Sequence, residues 1–120
     1  LISSIYGIVS PDQRRYEGIS SEPFFKPAAY SASKAGLLGL TRYWASYLAP
    51  YGIRVNCITF GSMDRDDYHP KFRDAFTRAV PLGRFAQPGD FNGIVHFLVS
   101  DASNYITGAN LVVDGGFTAW

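Results

Sequence analysis

Leu1-Ile2-Ser3-Ser4-Ile5 is a short apolar run that reads as the end of a β-strand. Residues 6–27 follow without a sustained period and carry Pro11, Gly18, Pro23 and Pro27, which predicts a loop. From about Ala28 to Ala49 the spacing turns helical, and Pro50 with Gly52 ends it. Leu37, Leu40, Trp44, Tyr47 and Leu48 make one apolar stripe of that helix, whereas Ala32, Ala35, Gly36 and Gly39 make a surface of small residues. Each glycine inside a helix costs about 1 kcal/mol against alanine. Close approach of another backbone offsets that cost, so the small face is expected to pack on a helix. Residues 53–59 form a β-rich strand ending at Phe60-Gly61. The polar, charged stretch 62–83 predicts a mobile segment with a short helix around Lys71–Val80. Gln87-Pro88-Gly89-Asp90 is a helix start, and Phe91, Ile94, Val95 and Leu98 have the spacing of a helix on a sheet. Leu111-Val112-Val113 reads as a buried strand closed by Asp114-Gly115-Gly116. Strands alternating with helices predict an α/β domain with a parallel sheet. No internal repeat or domain boundary interrupts it.

Composition narrows the function classes. The chain has 120 residues, 47% hydrophobic and 18% charged, which fits at most one globular domain. A net charge of +1 and scattered cations argue against a nucleic-acid partner. No apolar run is long enough to span a bilayer. The single cysteine, Cys57, permits no intrachain disulfide and no cysteine-built zinc site, and it is expected to be a buried, inert thiol in a cytoplasmic protein. Asp64, Asp66, Asp67 and His69 lack metal-site spacing and read as a solvated run, and His96 reads as a packed or exposed helix residue. The chain has no initiator methionine and opens inside a strand, so further sequence is expected upstream. That opening has no basic segment or small-residue cleavage site and does not read as a signal peptide.

Candidate chemistry centres on Tyr30 and Lys34. Four residues apart on a helix, they project from one face. A lysine ammonium beside a phenol favours the phenolate, and the positive helix end acts in the same direction. Such a tyrosine can give or take a proton near neutral pH, as carbonyl–alcohol interconversion requires. The spacing alone arises easily by chance, so its meaning depends on its surroundings.

Those surroundings carry a resemblance. Tyr30-Ser31-Ala32-Ser33-Lys34-Ala35-Gly36, Leu40-Thr41-Arg42 and Gly52-Ile53-Arg54-Val55-Asn56 resemble the core of the short-chain dehydrogenase/reductase family. Asp101-Ala102-Ser103-Asn104-Tyr105-Ile106-Thr107-Gly108 with Val113-Asp114-Gly115-Gly116 resembles the same family's C-terminal signature. The resemblance implies that residues 1–120 are the C-terminal part of a Rossmann-like, doubly wound parallel sheet, a partial single domain. It implies NAD or NADP as cofactor and a small carbonyl or alcohol as substrate. Tyr30 would be the general acid/base. Lys34 would lower its pKa and hydrogen-bond the nicotinamide ribose. Ser4 would polarise the substrate carbonyl, and is preferred over Ser3 because it is the last serine of the family's strand-end motif; strand alternation also forbids both from facing one site. Phe60, Gly61, Ser62 and Met63 would flank the cofactor. Helix 30–49, with the last helix and strand, resembles the family's assembly surfaces, so a homodimer or homotetramer is expected, with no nucleic-acid or membrane partner.

Three departures qualify the resemblance. The family's glycine-rich phosphate-binding turn is absent from these residues, and so is its helix asparagine, so the 120 residues alone are expected to be inactive, with an exposed sheet edge. The stretch between Ser4 and Tyr30 is longer than usual and resembles members linked to flagellin or surface-sugar modification. Arg15, Tyr16 and Glu17 in it could bind a sugar-like substrate, or the loop could be a lid. Phe60 stands where the family has proline, and Arg65 where it has a cofactor-facing threonine. Two other readings remain: a sugar-nucleotide epimerase or dehydratase of the extended branch, and a non-catalytic assembly module.

Overall fold

The three apolar runs pair in parallel. In the computed structural model, which describes residues 1–120, the elements are β1 (Ile2–Ser4), α1 (Ala28–Leu48), β2 (Cys57–Phe60), α2 (Pro70–Thr77), α3 (Asn92–Val99) and β3 (Asn110–Val113). Single turns of 3-10 helix stand at Ile5–Gly7, Gln13–Tyr16, Ala49–Tyr51, Pro88–Phe91 and Asp101–Ser103. The strand order is β1-β2-β3, with Ile2 opposite Ile58 and Ile58 opposite Leu111. Helical crossovers between parallel strands are the α/β arrangement expected from the alternation of elements.

The strand expected at 53–59 begins only at Cys57, because a loop, not a strand, meets the peptide groups before it. Val55 N donates to Thr107 Oγ1 (3.0 Å) and Gly108 N to Val55 O (2.7 Å). Asn56 accepts from Ala109 N (3.1 Å) and donates through Nδ2 to Ile106 O (2.8 Å). Arg54 donates to Ile106 O (3.1 Å) and to Leu98 O (2.9 Å), satisfying a carbonyl near the end of α3. Cys57 is fully buried at the start of β2. Ahead of α3, Gln87 N donates to the Asp90 carboxylate (2.7 Å), so the helix start read from that motif is present.

Helix α1 packs against β1 and the Ile5–Gly7 turn, but not by its large apolar stripe. Its two buried residues are Thr41 and Ala45; Leu40, Trp44 and Tyr47 are exposed. The small face is open as well, since a Cβ on Gly36 or Gly39 would meet no atom within 4 Å. No helix of this chain covers it, contrary to the packing expected from its glycines.

Segment 62–83 is also not the mobile stretch its polarity predicts. Eight of the 16 buried residues form one cluster: Ile5, Tyr6, Tyr16, Phe72, Phe76, Val80, Phe85 and Phe117. Loop 6–27, α2 and the C-terminal turn build it together. The main apolar core therefore lies at the C-terminal end of the sheet, under the loops. Helix α2 begins at Pro70, where His69 Nδ1 accepts from Lys71 N (3.2 Å), and ends at Thr77, short of the expected Val80.

Candidate active site

Pleating separates the two serines of β1. Ser3 is buried and donates from Oγ to Lys34 O (2.8 Å), fastening the strand to α1. Ser4 lines a cavity of about 720 Å³, and its Oγ accepts from Tyr6 N (3.3 Å). Gly7 permits this junction: a Cβ there would lie 2.7 Å from Ser3 Oγ and 2.8 Å from the Lys34 carbonyl.

Tyr30, in the first turn of α1, lines the same cavity as Ser4. Lys34 follows one turn later, with Nζ 5.8 Å from the centre of the Tyr30 ring and donating to Ile2 O (3.2 Å). It stands behind the phenol and is not part of the cavity wall. Gly61, Ser62 and Met63 reach the cavity from the end of β2, whereas the Phe60 ring turns away and packs on Phe91 at 4.1 Å. Gly61 is needed for strand packing, because a Cβ there would meet Asp114 Cα at 2.8 Å. The amides of Ser62 and Met63 donate to no group of this chain, leaving two N–H groups free at the sheet end.

The far wall comes from the loops. Tyr16 donates its phenol to that of Tyr6 (3.1 Å). Burial raises the pKa of both hydroxyls; for Tyr16 the bond to Tyr6 adds to the rise, while for Tyr6 it works against it. Ser62 Oγ and the Tyr68 hydroxyl are 3.0 Å apart. Arg65 lines the cavity but is bidentate to Asp67 (2.9 and 2.6 Å), so its guanidinium already has a carboxylate partner. Of the loop residues singled out from sequence, Tyr16 reaches the cavity; Glu17 is exposed and Arg15 lies over the Phe117 ring (5.0 Å). Asp64 pairs with Arg73 (2.7 Å). Sequence reasoning missed Lys26, which lines the cavity with its ammonium 4.3 Å from the centre of the Tyr30 ring. Its place four residues before Tyr30 was the available signal, but a lysine in an aperiodic loop has no pattern to mark it.

Known proteins share this fold over nearly the whole chain. A family model described as enoyl-(acyl carrier protein) reductase matches residues 18–118. L-Rhamnose 1-dehydrogenase (NAD(P)(+)) of Azotobacter vinelandii is 44% identical over 92 residues, 72% of this chain and 36% of that protein. Trans-4-hydroxycyclohexanecarboxylate dehydrogenase of Sinomonas cyclohexanicum is 40% identical over 118 residues, 98% of this chain and 40% of that protein. The crystal structure of a short chain dehydrogenase from Leptospira borgpetersenii with bound NAD+ matches with a TM-score of 0.87 at 42% identity, over 98% of this chain and 42% of that one. The chain thus spans about two-fifths of the length of the relatives it matches. With a family model over most of its residues and a fold shared almost end to end, the chain belongs to the short-chain dehydrogenase/reductase family.

Proposed function

We propose that these residues carry the proton chemistry of an NAD(P)-dependent oxidoreductase that interconverts a carbonyl and a secondary alcohol. The observation that carries this reading is that Ser4 and Tyr30 share one cavity while Lys34 stands one helical turn behind Tyr30. Tyr30 Oη gives a proton to the substrate oxygen in reduction and takes it back in oxidation. Ser4 Oγ donates a hydrogen bond to the same oxygen as its charge develops. Lys34 places a positive charge beside the phenol, and only one of its three N–H groups is engaged, on Ile2 O. Its other two are available to ribose hydroxyls.

A bound nicotinamide cofactor supplies the hydride in reduction and accepts it in oxidation. The free amides of Ser62 and Met63 fit a carboxamide at the end of β2, and Gly61 keeps that turn close to β3. Phe60 would act by holding the turn through Phe91. The relative named for NAD(P)(+) and the structure holding NAD+ support either nicotinamide cofactor. The 120 residues include no glycine-rich pyrophosphate turn, so turnover is assigned to the whole protein and not to this chain alone. The exposed faces of α1 support a homodimer or homotetramer. No helix is long and apolar enough to cross a membrane. The lone, unpaired Cys57 supports a reducing compartment, the cytoplasm.

The test is Tyr30→Phe in the whole protein, followed by NAD(P)H absorbance with carbonyl and alcohol substrates. Losing the proton donor is expected to lower kcat about 10²- to 10⁴-fold. Unchanged turnover would remove Tyr30 from the chemistry. Conversion of a sugar nucleotide without net change in absorbance would mark an epimerase instead.

A further inference from the structure

The charges around the cavity do not balance. The chain makes five ion pairs, and every one uses an arginine. Asp67, the one acid on the cavity wall, is held by Arg65. Lys26 lines the same cavity, and its ammonium has neither a carboxylate partner nor a hydrogen bond. Its contact is the face of the Tyr30 ring, at 4.3 Å, nearer than Lys34 at 5.8 Å.

The backbone of Lys26 is fixed on both sides. Gln13 accepts from Lys26 N (2.9 Å) and donates to Lys26 O (3.1 Å), and Pro27 with α1 follows directly. Within these 120 residues the three N–H donors of the Lys26 ammonium are unfilled beside the proton-transfer phenol, which suits an anionic acceptor that arrives with the substrate.

We propose that Lys26 is the anion-binding group of the substrate site, and that the substrate is a small hydroxy or keto acid whose carboxylate lies within a few bonds of the reacting carbon. This rests on the reading of Tyr30 as the proton-transfer group. In the oxidative direction the carbinol C–H leaves as hydride to the oxidised nicotinamide and the hydroxyl proton passes to Tyr30. The keto acid forms, and its carboxylate remains on Lys26 throughout. Because that contact is the same before and after hydride transfer, it acts on binding and not on the chemical step.

The experiment compares short α- and β-hydroxy acids with their primary amides, using the whole protein, its Lys26→Met and Lys26→Arg variants, and Tyr30→Phe. The acids are expected to be preferred by the unaltered protein. Lys26→Met should raise KM for acids about 10- to 100-fold relative to KM for the amides, the size of a charge-assisted hydrogen bond, with any change in kcat common to both classes. Lys26→Arg should restore most of the loss. Equal use of acids and amides would overturn the proposal. So would a Lys26→Met loss confined to kcat for both classes with a displaced pH profile, which would make Lys26 a partner of Tyr30 only. Calorimetric binding of the acids to the cofactor-loaded protein gives a readout without turnover. Binding lost in Lys26→Met and kept in Tyr30→Phe supports Lys26 even if no redox change occurs, an outcome that would overturn the oxidoreductase reading alone.

Discussion

Two groups of aromatic rings in this chain share their internal geometry and differ in their surroundings. Phe76 stacks on Phe85 at 4.7 Å and on Phe117 at 5.1 Å, and is 2% exposed. On α1, Tyr43 stacks on Tyr47 at 6.0 Å, with Trp44 edge-on to both at 5.2 and 5.7 Å, yet Tyr47 is 56% exposed. Tyr47 meets both Tyr43 and Trp44 through helix geometry alone, since residues three and four apart meet on one face. The buried group needs three separate segments to converge. Ring contact is therefore a local matter, while removal of apolar surface from water depends on the whole chain. Stacking contributes about 0.5–1.5 kcal/mol beyond burial, so burial decides which group holds the fold together.

Truncating one ring of each group tests the contrast most strongly. Phe76→Ala is expected to destabilise the whole protein by about 3–5 kcal/mol in denaturant unfolding. Tyr47→Ala in the monomer should stay within about 0.5 kcal/mol. A large, concentration-dependent loss at Tyr47 would break the comparison in a useful way. It would mean that a second copy covers α1 in solution and that its rings become core on assembly.

The contrast also marks what could be read from the sequence. Periodicity located α1, α3 and the parallel strands because each is a local repeat of apolar positions. The placing of Tyr30 and Lys34 on one face of α1 is legible for the same reason, whereas Ser4 is singled out through the family resemblance. Loop 6–27 and the helix within 62–83 are legible as elements, but their share of the core is not, because their rings are spaced irregularly between charges. Phe72 and Phe76 are one turn apart on an eight-residue helix, and their partners Tyr16 and Phe117 are far away in sequence, with Phe85 beyond the end of the helix. Lys26 was invisible for a related reason, since its meaning lies in the Gln13 clamp and the Tyr30 ring. The small residues of α1 suggest close packing, and within these 120 residues nothing packs there.

Between the two regions lies the junction of β1 with α1, and Gly7→Ala should disturb it. The added methyl would collide with the Lys34 carbonyl and Ser3 Oγ, and backbone there has little room to yield. Overpacking of this kind costs about 1–3 kcal/mol. It would also move Tyr30 and Lys34 away from Ser4, so kcat should fall by more than the stability loss explains, with on the order of 10²-fold for a shift near 1 Å. A variant that loses stability but keeps kcat would show that the helix and strand move as one piece.

The polar link inside the buried cluster is a finer probe. Tyr16→Phe leaves the buried Tyr6 hydroxyl without its donor, at about 1–3 kcal/mol. Replacing Tyr6 and Tyr16 together by phenylalanine should cost less than the sum of the single changes, because no buried hydroxyl is left unpaired. Additive single changes in denaturant unfolding would mean that the two phenols are satisfied independently, for instance by water.

The smallest effect concerns an ion pair outside both aromatic groups. Asp90 accepts from Arg84 at 2.6 and 3.0 Å and from Gln87 N at 2.7 Å. The Arg84 bonds first, and the Gln87 amide second, lower its pKa from the usual 3.8 to about 2. A carboxylate depressed in the folded state adds stability that is fully present above its unfolded pKa. That contribution is lost as the pH falls from about 4 toward 2. Asp90→Asn should therefore flatten the acid side of the stability curve in that window alone, with a small effect that added salt reduces further, because the pair faces solvent. If the acid limb keeps its full slope in Asp90→Asn, the protons taken up there bind elsewhere, and the helix start at Gln87 is held by its backbone turn and not by the charge.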